Sequence, residues 1–128
     1  CRIALAGDDG PYIVPVCFGY EPGALYIHSA PDGRKIDMIR KDPRICFEVD
    51  LCDGLIRADR ACGWGMKYRS VIGFSRAAIL AGPEEKKHGL SCIMHQYDSG
   101  IHEFSDDEVR HVAVIRIAIE SITGKKKE

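Results

Sequence analysis

The chain has 128 residues, 18 of them basic and 19 acidic, which gives a formal net charge of −1. This length fits one domain with a sizeable core, and the balanced charge provides no global basic surface for nucleic acid. No apolar run reaches the roughly 20 residues of a membrane span, and no signal-peptide pattern opens the sequence. We therefore expect a cytoplasmic protein that binds neither nucleic acid nor membrane.

Six cysteines occur without a CxxC motif, which favours free thiols in a reducing compartment over a disulfide framework. Cys52 and Cys62 are too far apart for a zinc knuckle and the histidines are dispersed, so we expect no metal site. Cys92 and His95 have i, i+3 spacing, but their surroundings resemble a core face and give little support to thiol catalysis. The chain begins on Cys1 directly before a strand-like run, so we expect a further segment to precede it.

The first elements in chain order predict a β-hairpin. Residues 1–6 alternate as a strand does, residues 7–11 are rich in turn formers, and residues 12–20 predict a second strand. Pro15 cannot donate a ladder hydrogen bond, so this second strand lies at an edge or is broken there. A ligand could approach the backbone at such a position.

Residues 24–50 predict a strand, a tight turn, a short helix and another strand. The PDG turn puts Arg34 and Lys35 at the start of the helix, which Pro43 ends. The first N–H groups of a helix lack intrahelical partners and its dipole favours anions there. Two cations in this turn are unfavourable unless an anion joins them, so the sequence predicts an anionic ligand.

His28 and Ser29 close the strand before this turn and would lie beside the ligand. An imidazole in that position can donate a hydrogen bond or move a proton near neutral pH. The alternatives are that His28 is a structural histidine and that Arg34 and Lys35 form a merely solvated pair.

The second half of the chain predicts mostly strands. Residues 51–66 predict a loop in which a short strand is an option, and Trp64 lies between two glycines. A tryptophan so displayed suits a lid over a flat ligand or an interface anchor, with ordinary loop burial as the alternative. The remaining predicted elements are a long strand bent at Gly73, a helix that begins at Pro83, one helical turn and a final strand, over residues 67–80, 83–100, 106–108 and 111–126.

Several common motifs do not occur. The sequence has no GxGxxG, no Walker loop and no GxSxG elbow, which disfavours dinucleotide-binding, phosphate-loop and hydrolase chemistry. Dominance of strands with short helices inserted predicts a small closed or half-open barrel.

The stretch YIVPVCFGYEPGALYIHSAPDGRKIDMIRKDPRICFEVD, with the later KYRSVIGFSRA, resembles the pyridoxamine 5′-phosphate oxidase-like family of FMN-binding split β-barrels. The resemblance is to the branch related to nitroimidazole-resistance proteins. It implies a mainly β single domain over residues 1–128, a six-stranded antiparallel split β-barrel with two or three short helices. It also implies a homodimer with an FMN in each of two clefts at the interface.

The resemblance also implies roles for particular residues. His28 and Ser29 match the strand end beside the flavin, and Arg34 and Lys35 match the pair that grips its phosphate. Ser70 stands where the oxidases carry a flavin-contacting glutamine. Trp64 is expected to cap the site from the partner chain. The backbone segment expected to approach the isoalloxazine consists of Val14, Pro15, Val16 and Cys17.

The implied activity is that of a flavin-dependent oxidoreductase that reduces a nitro group of a small-molecule substrate to an amine, with His28 as the catalytic side chain. Residues 122–128 do not reproduce the substrate-binding pattern of true pyridoxamine phosphate oxidases, so that reaction is not expected. The alternative is a non-catalytic flavin- or haem-binding protein for redox sensing or storage. Deazaflavin is a further option for the ring.

Overall fold

In a computed structural model that describes residues 1–128, the chain is mainly β, with three helices. The strands are β1 (Arg2–Leu5), β2 (Tyr12–Pro15), β3 (Phe18–Glu21), β4 (Ala24–Ser29), β5 (Arg44–Ile56), β6 (Gly65–Ile79) and β7 (Ala113–Lys127). The helices are α1 (Arg34–Lys41), α2 (Pro83–Tyr97) and α3 (Asp106–Arg110), with one 3₁₀ turn at Ala61–Gly63.

All seven strands form one antiparallel sheet, in the order β2-β1-β5-β6-β7-β4-β3. The predicted mainly β antiparallel architecture is confirmed. The sheet has seven strands rather than six because the predicted strand over residues 12–20 is broken after Pro15, into one strand at each edge of the sheet. Only Val16 and Cys17, which we call the seam, connect these two edges. The sheet must therefore curl until its edges meet, although no hydrogen-bonded ladder closes it.

The concave face of the curled sheet holds the main core. Ile36 and Ile39 of α1 are buried against it, as their i, i+3 spacing predicts. A smaller cluster under α2 joins Ile93 to Tyr26 and Val114. The main cluster also contains Ile3, Leu5, Leu25, Ile27, Ile45, Phe47, Ala77, Ala113, Ile115 and Ile117.

Gly73 has a different role from the predicted bend. A Cβ atom at this position would lie 2.2 Å from Cε1 of Phe47, so the glycine makes room for the buried ring. The irregularity in β6 falls one residue later, where its register with β7 shifts between Phe74 and Ser75.

The predicted loop over residues 51–66, in which a short strand was an option, is strand for half of its length. β5 continues to Ile56 and β6 begins at Gly65, with a register shift between Cys52 and Gly54. β1 pairs with β5 only as far as Glu48. Residues 49–56, 65–71 and 120–127 thus form a three-stranded extension whose two outer strands have no further strand beside them, which we call the arm.

The helices begin where predicted, and their ends differ slightly. α1 ends at Lys41, before Pro43. α2 ends at Tyr97 rather than Gly100, because Asp98 is extended and its carboxylate accepts the Gly100 N–H at 3.1 Å. None of the three α-helices combines the length and the hydropathy of a membrane-spanning helix.

Candidate functional site

Three segments that are separate in sequence meet at one corner of the sheet. β3 pairs with β4 up to Phe18 opposite Ile27, and continuing this register sets Cys17 of the seam opposite His28. α1 begins a few residues after β4 ends. The cationic corner, as we name it, comprises residues 14–17, His28, Ser29, Arg34 and Lys35.

The start of α1 lacks a capping side chain. Gly33, at the N-cap, has φ 127° and ψ 173°, a conformation that L side chains rarely adopt. The residue supplies no side-chain hydrogen bond to the helix, whose first backbone bond runs from the Asp37 N–H to the Gly33 carbonyl at 3.0 Å. The preceding N–H groups of the first turn are thus available to a ligand.

The two cations of this first turn are held by neutral groups. The guanidinium carbon of Arg34 lies 4.5 Å from the centroid of the Tyr12 ring, which is cation–π geometry. Lys35 donates from Nζ to Oγ of Ser29 at 3.3 Å. These contacts orient both side chains while leaving their charges without a carboxylate.

Unlike the cations in the first turn of α1, those in its last turn have carboxylate partners. Arg40 lies 3.9 Å from Asp37, and Lys41 forms an ion pair with Asp8. Neither cation of the first turn has such a pair. An anion at the cationic corner would therefore supply the missing counter-charge.

The surroundings of the His28 imidazole lower its pKa in two ways. Burial lowers the pKa of His28, and the positive charge of Lys35 lowers that pKa further. Burial also lowers the pKa of Lys35 itself. His28 is thus neutral at neutral pH, with one ring nitrogen that donates a hydrogen bond and one that accepts.

The seam borders a shallow hollow of about 340 Å³, lined by Cys1, Arg2, Pro15, Val16 and Cys17. Val16 donates its N–H to the Cys1 carbonyl at 2.9 Å, which fixes the backbone after the strand break. The hollow is open to solvent, so one chain offers a wall for a flat ring rather than an enclosed pocket.

Trp64 and Ser70 do not join this group within one chain. On β7, Ser29 lies opposite Ala113 while Ser70 lies opposite Lys125, a separation of about 35 to 40 Å along the strand. Trp64 lies at the tip of the arm, 51% exposed, and donates from Nε1 to the Ala58 carbonyl at 2.7 Å. The structure therefore gathers the residues of the cationic corner and leaves the two arm residues apart from them.

Sequence reasoning missed Tyr12, whose ring contacts Arg34 of the cationic corner. Its position at the start of the strand leading to Pro15 was the one available signal, because the contact with Arg34 depends on how α1 packs. The pair of Cys92 with His95 does not form, since Nδ1 of His95 lies 2.8 Å from the Ser91 carbonyl oxygen.

A curled antiparallel sheet whose edges are joined by a short seam, with an anion-ready helix start beside it, defines a protein of the split β-barrel class. A family model described as pyridoxamine 5′-phosphate oxidase matches residues 1–126. The chain belongs to this family.

Solved structures of the same fold include three informative ones. A candidate 5-nitroimidazole antibiotic resistance protein from Bacteroides thetaiotaomicron is 33% identical with a TM-score of 0.85, over 97% of this chain and 74% of that one. A FAD-binding protein from Mesorhizobium loti is 26% identical with a TM-score of 0.70, over 99% and 85%. A FAD and haem binding protein from Mycobacterium smegmatis, 20% identical with a TM-score of 0.88, covers 99% and 64% and shows the fold alone.

A shorter likeness is to the uncharacterized protein RA0666 of Rhizobium meliloti (strain 1021). It is 40% identical over 48 residues, which make up 38% of this chain and 31% of the relative.

Proposed function

We propose that this chain is an FMN-binding oxidoreductase that acts as a homodimer and reduces nitro groups of small-molecule substrates. The observation that carries the proposal is the start of α1, where Arg34 and Lys35 lack carboxylate partners and the first N–H groups lack a cap. A phosphate monoester matches this site because it brings negative charge and several acceptor oxygens to one point.

The ring of the flavin would lie toward the seam. The hollow is lined in part by Cys17, which the strand register sets opposite His28, so a ligand whose phosphate binds at α1 would extend its ring along this backbone. The FAD-binding relative from Mesorhizobium loti supports a flavin, and the uncapped helix start supports a flavin that carries phosphate, of which FMN is the smallest. The flavin, when bound, supplies the two-electron reductions of the nitro group.

His28 would act on the substrate rather than on the phosphate. Because its pKa is lowered, it presents a neutral imidazole whose N–H can hold an oxygen of the substrate and whose proton can be passed on. Lys35 lies in the turn that would bind the phosphate, so phosphate binding would offset one cause of this lowered pKa. The candidate resistance protein from Bacteroides thetaiotaomicron supports nitroimidazoles as the first substrates to test.

Two residues assigned to the flavin site lie far from the others in the same chain, which supports a homodimer. Trp64 and Ser70 lie on the arm, far along the sheet from the cationic corner of the same chain. Residues with exposed apolar side chains cover the arm, among them Leu51 at 55% and Ile122 at 52% exposure. A second copy that packs on the arm would bury this surface and bring one chain's arm to the other's cationic corner.

FMN and riboflavin differ only in the phosphate, so their affinities test the site directly. We expect the double variant Arg34→Gln/Lys35→Gln to bind FMN at least about a hundredfold more weakly, since two charge-assisted hydrogen bonds that contribute about 1.5 to 3 kcal/mol each are lost. Riboflavin affinity should stay unchanged. The matched control is Arg40→Gln, on the same helix but already paired with Asp37. An equal loss for both ligands would contradict a phosphate site here.

The catalytic role is tested by His28→Ala at full FMN occupancy. We expect turnover of a nitroimidazole by the reduced flavoprotein to fall about a hundredfold, within the usual range for loss of a general acid. His95→Ala, on the outer helix α2, is the control. Unchanged turnover in His28→Ala with full occupancy would refute the assignment.

The absorption spectrum of the protein as isolated separates this proposal from its alternatives. Flavin bands with nitroreductase turnover support it. Flavin bands without turnover would favour redox storage or sensing, and a Soret band alone would favour haem.

A further inference from the structure

A second group of reactive side chains lies outside the cationic corner, where α2 packs on β3. Nε2 of His88 lies 2.9 Å from Oε2 of Glu21, and Sγ of Cys92 lies 3.6 Å from the same ring nitrogen. The distance from Sγ to Oε2 is 4.0 Å. An imidazole, a thiol and a carboxylate thus converge on one point.

The fold holds these three groups at short range. A Cβ atom on Gly19 would lie 2.2 Å from the carbonyl carbon of Cys92, so the backbone of α2 rests directly on β3. Glu21 lies two residues further along β3, on the same face of the strand. His88 and Cys92 are one helical turn apart and project from the same side of α2.

Tyr26 orients two members of the group. Its hydroxyl donates to Oε1 of Glu21 at 2.6 Å, which leaves Oε2 to face the imidazole and the thiol. The Tyr26 ring also packs edge to face against His88, with centroids 5.5 Å apart. Such outer contacts to the ligands are characteristic of metal sites.

We propose that Glu21, His88 and Cys92 form a Zn²⁺ site with three protein ligands. Tetrahedral zinc with its usual bond lengths separates such ligand atoms by about 3.3 to 3.6 Å. The three observed distances of 2.9, 3.6 and 4.0 Å bracket this range, so small side-chain movements suffice. A carboxylate and a thiolate together balance the charge of the divalent ion.

The fourth position of the ion would face solvent. The His88 side chain is 56% exposed and borders a hollow of about 390 Å³ that also contacts Glu85 and Arg116. Three protein ligands with an open position are the arrangement of zinc ions that bind water or a small ligand.

This site is separate from the proposed flavin site. Glu21 pairs with Ala24, at the far end of β4 from His28, a distance of about 13 Å along the strand. The zinc proposal therefore does not depend on flavin binding, and the two can be tested independently.

Cobalt(II) titration of the metal-free, reduced chain tests the proposal, because tetrahedral cobalt with a thiolate ligand has intense visible bands and a thiolate-to-cobalt charge-transfer band. We expect one equivalent to bind and Zn²⁺ to displace it. Cys92→Ser should abolish the charge-transfer band, and Tyr26→Phe should weaken binding about ten- to a hundredfold through the lost carboxylate contact. His88→Gln and Glu21→Gln should each prevent stoichiometric binding.

The controls are Cys62→Ser and His95→Gln, which should bind cobalt as the unmodified chain does, since neither residue touches the group. Circular dichroism and a cooperative thermal unfolding transition verify that each variant is folded. A variant that fails this check is left out of the comparison. The proposal is then tested by the increase in melting temperature that Zn²⁺ produces in the unmodified chain and in Cys92→Ser. The proposal is overturned if the unmodified chain gives no charge-transfer band, if Cys92→Ser keeps it, or if zinc raises the melting temperature of both chains equally.

Discussion

Phe47 and Leu51 lie on the same strand and point to the same face of the sheet, yet they belong to very different regions. Phe47 is 2% exposed in the part of the sheet outside the arm, which we call the body and where β5 pairs with both β1 and β6. Leu51 is 55% exposed on the arm, where β1 has ended. The body thus buries its apolar residues within one chain, whereas the arm presents them outward.

The body and the arm differ in whether contacts within one chain hold their site residues in place. The cationic corner belongs to the body and is assembled by contacts within the chain, such as that between Lys35 and Ser29. Trp64 and Ser70 belong to the arm and have no such partners in the cationic corner of the same chain. Under the proposed homodimer, the arm completes the site of the other copy.

The largest expected effect is on the stability of the body. Phe47→Ala should lower the free energy of unfolding by about 3 to 5 kcal/mol, because a buried ring is lost and a cavity remains. Leu51→Ala should cost less than about 1 kcal/mol when urea denaturation is measured at concentrations where the chain is monomeric. Equal losses of unfolding free energy at the two positions would contradict the distinction between body and arm.

The next effect concerns assembly. The double variant Leu51→Asp/Ile122→Asp should leave the monomer folded but weaken the dimer at least about a hundredfold, since burying unpaired charge costs several kcal/mol. FMN affinity should fall with it, as sedimentation and fluorescence titration can show. Ile101→Asp is the matched control, because Ile101 is 94% exposed and lies outside the arm. A dimer that survives the double variant does not use the arm.

The smallest effect is a shift in titration at the cationic corner. Lys35→Gln should raise the pKa of His28 toward its ordinary value, because one cause of the lowered pKa is removed while burial remains. NMR titration of the His28 ring measures this directly. Arg40→Gln should leave it unchanged, and an unaltered pKa in Lys35→Gln would mean that the two side chains do not interact.

The same lowered pKa predicts the sign of a stability change. Below pH 6.5 and down to the pKa of folded His28, the unfolded chain binds more protons, so stability falls as pH falls through this window. His28→Gln should flatten that part of the pH profile of unfolding. A steeper profile in the variant would contradict burial of the neutral ring.

The start of α1 could be predicted from sequence because its signals are local, whereas residues 14–17 were assigned to the same site only through the family resemblance. The helix is bounded in the sequence by the PDG turn and Pro43, and the two cations after the turn indicate anion binding at its start. Neither signal requires knowledge of tertiary structure. The part of the arm over residues 51–56 and 65–66 was predicted as a loop, because most of its side chains are exposed on both faces of the sheet and because Gly54, with φ 122°, resembles a loop residue. Residues 67–71 and 120–126 of the arm were predicted as strand. Glu21 and His88 are 67 residues apart, and only packing of α2 on β3 unites them.

The position of β4 in the sheet has a consequence for how the chain folds. Ala24 to Ile27 are all buried. Their strand, β4, lies between β3, which directly precedes it in the chain, and β7, which follows roughly ninety residues later. Contacts this distant form slowly, and β4 offers an open apolar edge to other chains until β7 has been synthesised. Folding intermediates that lack β7 are therefore the species most prone to aggregate, and pairing of Ala113 to Ala118 with β4 is the step that ends this exposure.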